Sequence, residues 1–518
     1  KYLFFFFPTC AMATSGAFVV AQPPYQVKTI SRHGIRPRPG RCSKDTLRKS
    51  TNGKNFGAGI TGSLALSISC GLAAVRKKAG PGSRLTRGSR GGKKVFATTN
   101  RQMQTLAPED QWLQSLDIEA FAKDVSELGQ QLRVQQGVED LQHLKRIVWW
   151  SDVCALVGLA SLWMSPNPVT ILALSLWTHS RWTMVAHHTI HGGYNKVDAS
   201  GHYSSKSFGM GSLYRRVMDW FDWMLPEAWS RYHNQVHHYR VNEPDGDPDY
   251  FEKYTDTWKL NREFMTVLSM LFFKWAFAAP NTYKALKLSQ LKGELPENFD
   301  PKLTMTIYQA FRMESLGQAI FSVGELMTKV IGPYLLLHFF LLPLPLLLLG
   351  PSFFWHGVAN LFLAELVANI HGFIVTTFNH TGEDVYCFPS GCRVNSPTFY
   401  LRAVIGSANC STGGFLNDFL HGYLNYQIEH HIWPDLSMLS YAKAQPHVKA
   451  ICEKHGVPYV QENIIARMTK VFRIFTGHAR MRRFPEQMVR KEDLIAWDDR
   501  GGVLRDQRSS QDLAPAFP

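Results

Sequence analysis

The sequence predicts an all-α integral membrane protein, with four transmembrane helices arranged as two hairpins, a histidine-rich cap domain on one face, and interfacial helices beside it. Three observations carry this expectation. Apolar residues gather into four runs between about Ile147 and Phe378, although the whole chain looks ordinary at 45% hydrophobic residues and a mean hydropathy of -0.16. The runs come in pairs, each pair broken by a turn rich in Pro or Gly. Three histidine clusters lie in the polar sequence between and after the pairs, which places them all on one face.

The formal net charge of +15 is not spread evenly. Between Lys1 and Pro108 there are 19 Lys or Arg residues against a single acid, Asp45, and the rest of the chain is close to neutral. A basic, acid-poor leader over 1–97 reads as an organelle address, to a plastid membrane in preference to the endoplasmic reticulum, and nucleic-acid binding is not expected. Eight scattered cysteines without a CxxC pair exclude a zinc ribbon or a disulfide framework. Cys387 and Cys392 flank a turn and are the one pair spaced to bridge.

Residues 98–145 form a helical arm, with Leu113, Leu116, Ile118, Phe121 and Leu128 at helical spacing. The membrane domain is expected over 146–460. Its first hairpin runs from Ile147 to Met164, turns at Ser165-Pro166-Asn167-Pro168, and returns through Val169 to Trp177. No Gly or Pro follows until Gly192, so this second helix should continue out of the bilayer and lift the first histidine cluster above it. An apolar stretch from Phe264 to Ala279 contains Lys274, which favours an interfacial helix over a span. The second hairpin runs from Val330 to Leu349, turns at Gly350-Pro351, and returns from Phe353 to Phe378. In the returning span Asn360, Glu365, Asn369 and His371 must face protein or water. A basic amphipathic extension, with Ile464, Met468, Val471 and Phe475 on its apolar face, is expected over 461–518.

Box one reads His187-His188-Thr-Ile-His191, box two His233-Asn-Gln-Val-His237-His238, and box three Gln427-Ile-Glu-His430-His431. Helical residues four apart share a face, so His187 and His191 can address one metal while His188 points about 100° away. Neutral imidazole suits iron, zinc or copper, and the absence of a thiolate cluster disfavours an iron-sulfur centre. Eight box histidines exceed the needs of one tetrahedral metal, which implies two. The first box lacks the Glu of HExxH, so a zinc protease lacks its general base.

With these boxes, and with LNYQIEHHIWP at Leu424 to Pro434, the sequence from about Trp149 to Tyr459 resembles the membrane fatty acid desaturases. The resemblance implies two iron ions with O₂ as co-substrate, an acyl-lipid substrate in the membrane, and His187, His191, His233, His237, His238, His430 and His431 as ligands. An additional histidine after the fourth span is a family feature, and His380 stands there. His188 and Gln427 are further candidates. Gln427 replaces a histidine found in many members and matches the front-end desaturases, which place a double bond between an existing one and the carboxyl group. Glu429, Asn417 and Asn234 are candidates to orient bound imidazoles, whereas His371 and His421 are expected to be structural.

A lipid hydroxylase on the same scaffold and a non-catalytic metal-binding membrane protein are the alternative readings. Electrons are expected from a separate protein, a ferredoxin or a b-type cytochrome, since the HPGG signature of a fused cytochrome is absent. Arg467, Lys470, Arg473, Arg480, Arg482, Arg483, Arg490 and Lys491 form a basic stretch to which an acidic donor could be steered.

Overall fold

The computed structural model describes residues 106–256, 258–291 and 295–496, within the second of two units into which the chain divides, Thr98–Pro518. The leader expected over 1–97 lies outside the described residues.

The arm is one helix, Ile118–Gln135, started by Asp117, whose carboxylate accepts the Ala120 N–H at 3.0 Å. Its stripe of Phe121, Val125 and Leu132 is buried, and the helix packs on Pro397–Ile405 and Met438–His455. Arg133 fixes its end with a two-pronged pair to Asp435, both contacts at 2.8 Å. Gly129 lies against the buried indole of Trp433, where an added Cβ would stand 2.8 Å from Cε2 and nearer still to Nε1. The arm therefore roofs the segment that carries box three.

A second helix, Val138–Ala160, runs from the arm's end without a break through the expected start of the first span. Asn167 caps the next helix, Pro168–Ser180, through the Thr170 N–H at 3.0 Å. Asn360 ties this turn to the returning helix of the second hairpin, donating to the Met164 carbonyl at 2.9 Å and accepting from the Asn167 N–H at 3.3 Å.

Among the described residues two helices are long and apolar enough to cross a membrane, Val323–Leu348 and Pro351–Thr377. They are the two helices of the second expected hairpin; those of the first do not meet the same measure of length and composition. Val138–Ala160 carries Glu139, Asp140, Lys145, Arg146 and Asp152, and Pro168–Ser180 has only 13 residues. Pro168–Ser180 nevertheless packs between Val138–Ala160 and Pro351–Thr377. The first pair exposes Trp149, Leu156, Val169 and Leu172, as the second exposes Leu336, Phe340, Leu348 and Trp355.

The expected interfacial helix forms as Arg262–Phe272, a π-helical turn Phe273–Ala278, and Ala279–Gln290. Lys274 is buried there instead of facing lipid headgroups, with Nζ 3.6 Å from Asp222 and 3.4 Å from Glu365. Asn369 accepts the Lys274 N–H at 2.8 Å, and Glu365 accepts from Trp223 Nε1 at 2.9 Å and from the Tyr334 hydroxyl. The polar residues of the returning span are therefore joints between helices.

Three two-stranded sheets attach the C-terminal extension to the body. Tyr386–Cys387 pairs in parallel with Arg482–Arg483, Gly391–Cys392 antiparallel with Leu494–Ile495, and Asn409–Cys410 in parallel with Gln461–Glu462. Cys387 and Cys392 fall in different sheets as free thiols. The basic stretch is largely engaged within the chain. Arg467 and Lys470 both pair with Asp384 and Glu462, Arg473 with Glu383, Arg480 with Glu252 and Asp256, Arg482 with Glu109 and Asp110, and Arg490 with Glu119. Six of the eight basic side chains that suggested a steering patch thus secure the fold.

Gly129→Ala is expected to destabilise the protein by about 1–3 kcal/mol, because the enclosed indole has nowhere to retreat. Thermal unfolding in detergent measures this, and an unchanged midpoint would refute the close packing of arm and Trp433.

Candidate metal centre

The helix Pro168–Ser180 continues through a π-helical turn, Arg181–Ala186, into His187–Ile190 and ends before Gly192, whose φ is +92°. Box one therefore extends from the same helical run, as expected. The Thr183 hydroxyl donates to the His179 carbonyl at 2.8 Å inside the π turn, which shifts the phase of the residues that follow. Box two is less regular. Helix Pro226–Gln235 carries His233 and stops, and His237 and His238 lie in a 3₁₀ turn, yet the rings of His233 and His237 stack with centroids 5.1 Å apart. Box three is the short helix Gln427–Ile432.

The ring nitrogens converge in two groups, His187, His191, His233, His238 and His430 in one, and His237, His380 and His431 in the other. Within each group the candidate ligand atoms lie within 4.8 Å of one another. His233 also joins His237 and Asp249 in a third, overlapping set, which makes it the link between the two. The HisHis doublets of boxes two and three divide between the groups, His238 from His237 and His430 from His431, with ring planes crossed at 78° and 80°. Neighbouring helical side chains diverge by about 100°, so a doublet reaches two points where an i, i+4 pair reaches one.

The spacing fits shared metals. His187 Nε2 lies 3.0 Å from His233 Nε2, His238 Nε2 lies 3.3 Å from His233 Nε2, and His380 Nε2 lies 3.4 Å from His431 Nε2. Two nitrogens each about 2.1 Å from one metal and at right angles stand about 3.0 Å apart. His237 Nδ1 is held by Asp247 at 2.8 Å, with Asp249 at 3.5 Å, while its Nε2 has no partner. His430 repeats the pattern, with Nδ1 3.2 Å from the Tyr441 hydroxyl and Nε2 free. One nitrogen oriented and the other left open is the arrangement of metal-bound histidine.

Burial, and then the neighbouring imidazoles, hold His187, His191, His233, His238, His430 and His431 below the usual range, which favours the neutral form that metals bind. His380 is lowered by burial and by His237. At His237 burial acts the same way, but Asp247 and Asp249 outweigh it and raise the pKa.

The remaining candidates fall outside the two groups. His188 is buried with its ring 4.7 Å from that of His187 and 5.6 Å from that of His430, yet its nitrogens join neither set. Gln427 stands beside the centre: its amide nitrogen is 3.0 Å from His380 Nε2, and its oxygen accepts from Asn379 Nδ2 at 2.9 Å. Asn234 fastens box two to box one by donating to the Ile190 carbonyl at 2.9 Å. Glu429 accepts from Asn409 and Tyr459 at 2.8 and 2.7 Å, and Asn417 donates to the Ser411 carbonyl, so neither orients a box imidazole. His371 donates to the Leu420 carbonyl at 2.6 Å, and His421 lies 2.8 Å from the Asn417 carbonyl, in the structural roles expected of them. Sequence reading missed Asp247, Asp249 and Tyr441.

A cavity of about 60 Å³ reaches His187, His233, His380 and Gln427, and its wall is mainly apolar, with Trp182, Met224, Trp229, Phe251, Phe273 and Phe277. From the four expected spans it takes only Thr376; Trp182 and Thr183 come from the π-helical turn Arg181–Ala186, and most of the remainder from the cap and the Phe273–Ala278 turn.

Residues 161–463 match the model of the family described as fatty acid desaturase. The chain belongs to this family. Among curated relatives, a putative fatty acid desaturase 2-like protein of Homo sapiens is 41% identical over 66 residues, covering 13% of this chain and 14% of that protein. The acyl-lipid (9-3)-desaturase of Physcomitrium patens is 30% identical over 119 residues, 23% of this chain and 21% of that one. The acyl-lipid 8-desaturase of Rebecca salina is 32% identical over 114 residues, 21% of this chain and 26% of that one. The aligned segments thus span well under half of these desaturases. No solved structure matches. The buried histidine clusters of this desaturase-family chain fit a di-iron site.

Asp247→Ala is expected to lower iron affinity by about 10–100-fold, since His237 loses the partner that fixes its ring. Metal analysis of the purified variant under limiting iron measures it, and full occupancy would show that Asp247 does not orient a ligand.

Proposed function

We propose that this chain is an O₂-dependent acyl-lipid desaturase, with two irons held by His187, His191, His233, His237, His238, His380, His430 and His431. The observation that carries the reading is the convergence of these eight side chains in two groups beside an apolar cavity that reaches His187, His233 and His380. Bound there, iron with O₂ supplies the oxidant that an unactivated methylene requires and no side chain provides. In balance, two adjacent carbons lose one hydrogen each, and O₂ with two electrons and two protons leaves as two waters.

The protein's part is placement. Trp182, Phe273 and Phe277 hold the acyl chain against the histidines and keep water out, while Asn379, through Gln427, sets the position of the His380 ring. The cavity is far smaller than the roughly 300–1,000 Å³ of ligand pockets, so the acyl chain enters by displacing aromatic side chains. All four apolar helices cross the membrane in this reading, supported by the exposed apolar residues on the first pair. Gln427, together with a relative named as an 8-desaturase, supports front-end placement of the double bond. The acid-poor leader supports a plastid membrane, where a separate ferredoxin supplies the electrons.

Expression in a host lacking the activity, with mass-spectrometric location of new double bonds, tests the reading. The wild type should form an alkene, and a retained hydroxyl group would favour the hydroxylase. Alanine at any one of the eight histidines should abolish product while membrane insertion persists, and near-normal activity in two or more variants would defeat the ligand set.

Given both saturated and polyunsaturated chains, the enzyme should act only on the carboxyl side of an existing double bond. A new bond in a saturated chain would rule out the front-end assignment.

A further inference from the structure

A second cavity, of about 190 Å³, lies along the same pair of helices as the first, Pro226–Gln235 and Ala279–Gln290. Tyr232 borders both. On the first helix the apolar cavity takes Trp229, Tyr232 and His233, and the second takes Tyr232 and then Val236 and Arg240 just beyond its end. On the other helix the apolar cavity takes Thr282, and the second takes Asn281, Lys284 and Leu288. The wall changes along these helices from aromatic to charged.

The charge is predominantly positive. Arg240, Lys253, Lys284 and Lys302 line the second cavity with Asp245 and Asp247, and Arg240 is already paired with Glu243 at 3.1 Å. Asp247 is committed to His237, and Asp245 is shared by Lys253 at 3.1 Å and Lys302 at 3.5 Å. Lys284 is buried, and its Nζ donates to the carbonyls of Pro301 and Leu303 at 2.9 and 2.8 Å. Neither partner is a carboxylate, and an ammonium carries three protons, so one remains available. Burial pushes its pKa down to about 8. Asn281, also buried, accepts the Met305 N–H at 2.8 Å through its oxygen and leaves Nδ2 without a partner. A buried ammonium with no carboxylate against it and a buried amide donor without an acceptor are costly unless an anion occupies the space beside them.

We propose that this cavity binds the phosphate of the substrate's carrier, so that an acyl chain in the apolar cavity extends past Tyr232 into a phosphate-bearing head group. The inference rests on the desaturase reading and narrows it to acyl groups carried by a phospholipid or by coenzyme A, against an uncharged glycolipid. Lys284 and Asn281 supply buried donors, and Lys253 and Lys302, both partly exposed, complete the cationic rim.

The test uses the full chain in liposomes, offered one acyl chain as phosphatidylglycerol, as the coenzyme A thioester, or as monogalactosyl diacylglycerol. Binding of the three carriers to the purified protein, followed by calorimetry, reads the cavity separately from turnover. One phosphate-bearing carrier should bind and turn over at least roughly tenfold better than the galactolipid, and the better of the two identifies the source. Lys284→Gln, and the double variant Lys253→Gln with Lys302→Gln, should each raise KM for that carrier by roughly tenfold, more than they lower kcat. Lys449→Gln, exposed on Met438–His455, should leave KM unchanged. Should Lys284→Gln fail to fold, the double variant at the rim still decides. Preference for the galactolipid, or an unmoved KM in the double variant, would overturn the proposal. Absence of alkene from any carrier, with phosphate-selective binding intact, would overturn the desaturase reading and leave the cavity assignment standing.

Discussion

Consecutive side chains on a helix cannot face the same point, and the centre is organised around that constraint. A doublet such as His430-His431 places its first ring in one histidine group and its second in the other. Two doublets define two positions, and box one, with its rings one turn apart, serves the first position alone. The second position is then short of donors from the boxes. His380, at the end of the returning membrane helix, makes up the deficit, so the distance between cap and membrane helices must be held closely. The arm over Trp433, the Asn360 joint and the buried Lys274 cluster all act to hold it.

Much of this was legible in the sequence because it depends on local spacing. The i, i+4 pair of box one survives because no Gly or Pro interrupts Val169 to His191. His380 was expected from the resemblance to the membrane fatty acid desaturases, which carry a histidine after the fourth span, and not from local spacing. The position of Gln427 beside the metal histidines also followed from its place in the box.

Other features were hidden because they depend on distant contacts. Asp247 and Asp249 sit in a run, Asn242-Glu-Pro-Asp-Gly-Asp-Pro-Asp249, whose composition marks only a turn, and nothing local shows that the turn folds back onto His237. Lys274 argued correctly against a span, but for the wrong reason, since a charge in an apolar run can be matched by carboxylates elsewhere as well as by water. The C-terminal cations looked like a free surface because many of their acidic partners are distant in sequence, as Glu119 is from Arg490 and Asp384 from Arg467. Box two carries the opposite lesson, for its spacing suggested a helical turn and the helix stops two residues short of His237.

The short sheets near the C-terminus bear on biogenesis. Tyr386–Cys387 and Gly391–Cys392 find their partners only at Arg482–Arg483 and Leu494–Ile495. During synthesis, both membrane helices and every box histidine therefore leave the ribosome before the strands that close the cap. A ribosome that stops before residue 482 would release a membrane-inserted protein with all eight histidines and no closed cap to hold them in register.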